Sequence, residues 1–130
     1  MARKVPSKRT RQESDFLGKV KVPAGAYYGI QTVRAAQNFP ISGLRAHPEM
    51  VRAMVLIKKA AALANAELGQ LEKRRSVAIV RACYEIIGGK FADQFIVDVF
   101  QMGAGTSFHM NVNEGIANRE GEIMGGRRGE

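Results

Sequence analysis

A mainly α-helical domain with one small β-hairpin near its N-terminus is the expected fold, on three grounds. Met50, Met54, Ile57, Ala61, Ala64 and Leu68 recur at steps of four and three, which places them in one stripe of an α-helix. Val80, Cys83 and Ile87 repeat the pattern and stop at Gly88-Gly89. Val20-Lys21-Val22 alternates apolar and polar residues and runs into the turn signal Pro23-Ala24-Gly25, after which Ala26 to Ile30 reads as a returning strand.

Each element has its own start and stop chemistry. The first helix is expected to open at Pro48, since proline suits a helical position whose amide has no acceptor anyway. It carries Arg52 and Lys59 opposite the stripe and stops at Gly69. The next is expected after Ser76, a good N-cap. Phe91 to Phe100 has no clean period. A third helix is expected within Ser107 to Met124, where Gly115 and Gly121 weaken it locally and packing must support it.

The chain has 130 residues, 45% hydrophobic and 25% charged, which suits one folded domain. Residues 1–14 read as a basic, flexible tail and 15–130 as the domain. No apolar run approaches the ~18 residues of a membrane span, and the N-terminus lacks the apolar stretch of a secretory signal. The single cysteine, Cys83, lies in a helical apolar pattern and reads as a core residue; one thiol without a mate fits a reducing, cytoplasmic setting. The formal charge of +8 collects in the tail (Arg3, Lys4, Lys8, Arg9, Arg11), at Lys73 to Arg75 and at Arg127-Arg128. Aromatic residues do not interleave with these cations, which argues against a nucleic-acid surface.

The chemically informative segment is Gln101 to Asn118, QMGAGTSFHMNVNEGIAN. Gly103 and Gly105 bracket Ala104 and lead into Thr106 and Ser107 at an expected helix start. Glycines allow close backbone approach, a helix N-terminus offers unpaired amides to an anion, and two hydroxyls add donors, so the segment suits a carboxylate or phosphate. The Gly-Lys-Ser/Thr ending of a P-loop is absent.

The wider string resembles the N-terminal substrate loop of the aspartase/fumarase superfamily. FLGKVKVPAGAYYGIQTVRAAQNFPISG (Phe16 to Gly43), IKKAAALAN (Ile57 to Asn65) and DQFIVDVFQ (Asp93 to Gln101) resemble further segments of that family in the same order. Ala104, Ser107 and Ala26-Tyr27-Tyr28-Gly29 are similar to its aspartase branch. His109 and Gly115 depart from it: the family usually has asparagine and a bulkier aliphatic there.

The resemblance implies the N-terminal domain of an ammonia-lyase that converts L-aspartate to fumarate and ammonia without an organic cofactor, and no metal-binding residue is assigned in this chain. Thr106, Ser107, Gly105 and Ala104 would bind a substrate carboxylate, with Arg34, Asn111 and His109 in support. No catalytic base is expected in this chain; the family's base is a serine in a downstream glycine-rich loop. Its central helices build a homotetramer whose sites draw on three subunits, so this segment would supply one wall and be inactive alone. The alternatives are a fumarase, another fumarate-forming lyase, or a non-catalytic helical association domain.

Overall fold

The computed structural model describes residues 9–130. Two antiparallel strands, β1 (Thr10–Asp15) and β2 (Gly18–Pro23), precede four helices: α1 (Ile30–Asn38), α2 (Pro48–Glu67), α3 (Lys73–Ile87) and α4 (Thr106–Ile123). A short 3-10 turn, Ala92–Gln94, lies between α3 and α4. The architecture is mainly helical with an N-terminal hairpin, as expected.

The hairpin differs from the sequence expectation in its partner. β2 pairs upstream with β1, from Thr10↔Pro23 to Asp15↔Gly18, and Phe16-Leu17 form the turn. Thr10 to Ser14, which the sequence alone places in a flexible tail, are thus part of the sheet; residues 1–8 of that tail lie outside the described residues. Ala26 to Gly29 is a connecting segment, and Ile30 opens α1.

The reason lies in the inward face of β1. Its half-buried positions are Arg11, Glu13 and Asp15, alternating with exposed neighbours, so the two-residue period is written in charge instead of hydrophobicity. Arg11 donates to the carbonyls of Pro23 (3.0 Å), Ala26 (2.8 Å) and Tyr28 (2.8 Å). Glu13 accepts from the Ile30 amide at 2.8 Å.

The main core joins α2, α3 and α4 through Val51, Val55, Ala82, Cys83, Phe108 and Val112. The buried line of α2 is Val51, Val55 and Ala62. It runs beside the expected methionine stripe, whose Met50, Ile57 and Leu68 are exposed. Small residues explain the choice: Ala78 and Ala82 of α3 are buried, and Ser76 Oγ donates to the Ala62 carbonyl at 3.1 Å. Ser76 therefore cross-links two helices, and α3 starts one turn earlier, at Lys73. Cys83 is fully buried, and burial pushes its thiol up to about 11, so it is a core residue and not a nucleophile at neutral pH. Gly115 is buried with Phe95 beside it; an added Cβ would lie 3.7 Å from the Phe95 ring, an ordinary contact.

α1 is attached to α4 by a carboxylate. Glu114, in the middle of α4, accepts from the amides of Gly29, of Gln31 at 2.8 Å and of Thr32 at 3.3 Å. These are donors that a helix start leaves without intrahelical partners, and a negative charge there is favoured by the helix dipole. A side chain at Gly29 would displace both carboxylates, since a Cβ would sit 2.9 Å from Glu13 Oε2 and 3.0 Å from the Glu114 carboxyl. At the other end of α4, Tyr27 donates to Glu122 at 2.7 Å while Arg128 stacks 3.8 Å over its ring.

Glu114→Ala is expected to destabilise the chain by about 2–3 kcal/mol, because it removes one charged acceptor from three amides. Glu114→Gln should cost less, since its carbonyl still accepts. Urea unfolding of both variants checks this, and equal stability of Glu114→Ala and the parent chain would refute it.

Candidate functional site

The loop from Gln101 to Gly105 is shaped by two glycines. Gly103 and Gly105 have φ of +70° and +87°, the left-handed region that side chains disfavour. Gly103 also leaves room for its neighbour, because a Cβ there would meet Thr106 Oγ1 at 2.9 Å. Gly105 is the N-cap of α4 and provides no side-chain cap. The amides of Thr106 and Ser107 are thus the first two of the helix, with no intrahelical acceptor. The third, of Phe108, donates to Gln101 Oε1 at 2.6 Å.

Gln101 is held in turn. Its Nε2 donates to the Asp98 carbonyl at 3.0 Å. Asp98 is buried, and its carboxylate accepts from the Ser42 amide and hydroxyl and the Gly43 amide, each at 2.8 Å, and from the Phe100 amide at 2.9 Å. Burial by itself would raise the carboxyl; the hydrogen bonds from Phe100, Ser42 and Gly43 outweigh it and bring it down to about 2. An isolated antiparallel backbone pairing of Arg45 with Asp98 completes the anchor.

Across from the loop stands α1. Thr106, Ser107 and Met110 of α4, Gln31, Arg34 and Asn38 of α1, and Leu17 of the hairpin turn enclose an open pocket of about 160 Å3. That is below the ~300–1,000 Å3 of sites for drug-sized molecules, so the space suits a ligand of few atoms. Thr106 is exposed at the mouth and Ser107 is buried deeper. A larger depression, about 520 Å3, lies on α3 around Val77 and Tyr84, away from the loop, and its Arg81 and Lys90 both face Glu85.

Arg34 reaches this pocket already engaged. Its Nε and Nη2 fork onto the Asp15 carboxylate at 2.8 Å each, and Nη2 lies 3.3 Å from the Gly18 carbonyl. The Arg34 hydrogen bonds hold the Asp15 carboxyl below its ordinary range. The guanidinium thus ties the hairpin to α1.

The other two supporting candidates are elsewhere. Asn111 is fully buried and bonds the backbone of the preceding segment: Oδ1 accepts from Ile96 at 2.9 Å, and Nδ2 donates to the Gln94 carbonyl at 2.9 Å. His109 turns to α2, where its Nε2 meets the ammonium of Lys58. Neither lines the pocket.

Sequence reasoning missed Gln31, Asn38 and Leu17, because α1 was not expected and the hairpin turn was placed one strand too late. The spacing Gln31, Arg34, Asn38 is a helical i, i+3, i+7 series and is the signal that marks them. Among the described residues no three His, Cys, Asp or Glu side chains converge as a metal-ligand set, and no helix is long and apolar enough to cross a membrane.

A family model described as Lyase matches residues 18–129. The chain belongs to this lyase family. The match takes in the glycine loop, α1 and β2. Among curated relatives, an aspartate ammonia-lyase from Bacillus sp. is 56% identical over 119 residues, 92% of this chain and 25% of its own length. A class II fumarate hydratase from Halobacterium salinarum is 53% identical over 120 residues, 92% of this chain and 26% of its own. Among solved structures, the fumarate lyase:delta crystallin of Brucella melitensis superposes with a TM-score of 0.90 at 52% identity, over 93% of this chain and 29% of that one. The chain spans about a quarter of the length of the curated relatives it matches.

The Asp98 anchor has a pH signature. Its carboxyl is depressed in the folded chain, so the stability it contributes is fully present above the ordinary aspartate value of ~3.9 and is lost as pH falls through about 2. Asp98→Asn should therefore be less stable than the parent chain near neutral pH, with the difference shrinking as pH drops through that window. Thermal melts of both at stepped pH test it; a difference constant down to pH 2 would show that the carboxylate charge is not what holds the loop.

Proposed function

We propose that this chain is the carboxylate-binding wall of an ammonia-lyase that releases fumarate and ammonia from L-aspartate. One observation carries the proposal: Thr106 and Ser107 line a small pocket at the uncapped N-terminus of α4, on a loop fixed from behind by Gln101 and Asp98. A carboxylate seated there accepts from two backbone amides and the Thr106 hydroxyl, with the Ser107 hydroxyl beside it, and Gly105 and Ala104 leave the approach open.

The reaction asks for such donors. Proton loss from the carbon beside the β-carboxylate moves negative charge onto that group before ammonia leaves the neighbouring carbon. The proton is weakly acidic, so stabilisation of the growing charge by donors already in place is the main contribution a protein can make. Within the pocket no side chain is arranged as a base: Asp15 is held by Arg34, and no histidine lines the space. The chain alone is therefore expected to bind a dicarboxylate and to leave L-aspartate unchanged. Exposed Met50, Ile57, Leu63 and Leu68 on α2 support assembly with further helices, and we place the whole enzyme as a homotetramer in the cytoplasm.

A hydratase reading competes, because the Halobacterium salinarum relative at 53% identity is a fumarate hydratase. Grafting these 130 residues in place of the matching segment of the Bacillus aspartate ammonia-lyase and of the Halobacterium hydratase separates the two. Fumarate absorbance should appear with L-aspartate in the first graft; turnover of L-malate by the second graft alone would overturn the ammonia-lyase reading. In the active graft, Thr106→Val should lower kcat and kcat/KM by roughly ten- to a hundred-fold, the cost of one hydrogen bond to a charged group. Unchanged kinetics with a lower melting temperature would leave Thr106 as a structural residue.

A further inference from the structure

A second crevice, of about 180 Å3, opens where α2 begins and α3 ends. It shares no lining residue with the pocket at the glycine loop. Its floor is the edge of the main core: Val51 of α2, Ile86 of α3 and Phe95 are buried members of that core and line the space. Its rim is charged. Arg45, Arg52 and Lys90 stand there exposed, against one acid, Glu49. Among the described residues neither Arg45 nor Arg52 has a carboxylate within salt-bridge reach. Lys90 lies 4.0 Å from Glu85, whose carboxylate is already forked by Arg119.

One wall is fixed by a strained residue. Phe91 has a φ of +63° and is the only residue other than glycine with a positive φ among the described residues. Its ring packs on Tyr27 with centroids 4.3 Å apart, and its neighbours Lys90 and Ala92 both line the crevice. Ring packing thus sets this wall before anything binds. The space also has a definite size: an apolar hollow of ~150 Å3 holds a single benzene ring. A group of that size would cover the open edge of the core, and burial of apolar surface is favourable.

We propose that this crevice is a second ligand site, which takes a small organic acid carrying one aryl or branched alkyl group. The apolar group rests on Val51, Ile86 and Phe95, and the carboxylate meets Arg45 and Arg52 at the rim. The proposal is independent of the carboxylate reading of the glycine loop. The ligand needs both parts. A bare carboxylate leaves the floor open to water, and surface arginines alone hold an anion weakly. A neutral ring gains the floor but not the rim, where a guanidinium donates to a carboxylate in charge-assisted hydrogen bonds. A four-carbon dicarboxylate has no apolar group of this size to offer.

The test uses the 130-residue chain itself, titrated with phenylacetate, its neutral isostere phenylacetamide, and acetate, while the amide resonances of Ile86, Ile87 and Phe95 are followed. Phenylacetate should shift them saturably with a Kd of roughly 1 mM or tighter, in keeping with a ligand of about ten heavy atoms. Phenylacetamide should bind about five-fold more weakly, and acetate should leave these resonances unmoved. In Arg45→Gln/Arg52→Gln, both at exposed positions, phenylacetate should fall to the affinity of phenylacetamide while phenylacetamide binds as before, which shows the floor intact. Lys73→Gln/Arg74→Gln removes the same charge away from the crevice and should keep the parent affinities. No saturable shift with phenylacetate overturns the site. So does equal affinity for the acid and the amide, or a preference for the acid that survives loss of both rim arginines or is lost equally in Lys73→Gln/Arg74→Gln. Shifts centred on Thr106 and Ser107 would seat the acid at the glycine loop and overturn the second site. Movement of the Ile86 and Phe95 resonances on dilution without ligand would show another copy of the chain covering the crevice, and would overturn it too.

Discussion

Glu114 sits in the middle of α4, yet its carboxylate closes the first turn of α1. The site depends on this contact more than on any single apolar pair. α4 carries Thr106 and Ser107 at its start; α1 carries Gln31, Arg34 and Asn38 along the face opposite. The modest cluster of Val22, Ala26 and Val33 packs α1 on the hairpin and does not reach α4. A charge placed on three amides fixes the height and direction of α1 relative to α4, because a helix start presents its donors along one axis only. Gly29 is the counterpart in the backbone: without a side chain, it lets two carboxylates, from Glu13 and Glu114, approach the same turn.

From that anchor the rest of the site is a sequence of positioned polar groups. Arg34 projects from α1 to the hairpin and is neutralised there by Asp15. Gln101 is fixed by the Asp98 carbonyl and closes the third amide of α4, leaving the first two open. On the proposed carboxylate reading, the attraction for an anion would come from neutral donors and the helix dipole instead of a free cation. Such donors are set by backbone geometry, so they need little rearrangement when charge moves on a bound carboxylate. Their support is remote in sequence: Asp98 draws on Ser42 and Gly43, more than fifty residues earlier, and no local motif around the glycine loop contains that partnership.

The extent to which this was legible in the sequence follows the kind of interaction involved. α2 and α4 could be placed from Pro48, Gly69 and the glycine loop, because caps and breakers act locally. The glycine loop itself was readable for the same reason, and both glycines do take left-handed φ. β1 was invisible because Arg11, Glu13 and Asp15 face inward and pair with distant backbone and charge. α1 was missed because its contacts are tertiary: buried Ile30, Thr32 and Val33 do not make a helical period, and its cap comes from another helix. The methionine stripe of α2 had helical spacing, but a period locates a helix without choosing which adjacent face its neighbour covers. His109 was read as a supporting residue of the site; its partner, Lys58, lies on α2 and cannot be found by reading the segment around the glycine loop.

The polar face of β1 gives the two parts of the chain different physical temperaments. α2, α3 and α4 meet through side chains such as Val55, Phe108 and Val112, whose association is not weakened by charge screening and does weaken on cooling. The hairpin is joined to α1 by the Arg34 guanidinium on Asp15, a pair that remains partly in contact with water, and added salt screens it. Salt and cold therefore pull at opposite ends of the molecule. Salt acts first on the strand edge beside the pocket mouth, and cold on the helices behind it, a division that amide exchange at low and high ionic strength would resolve residue by residue.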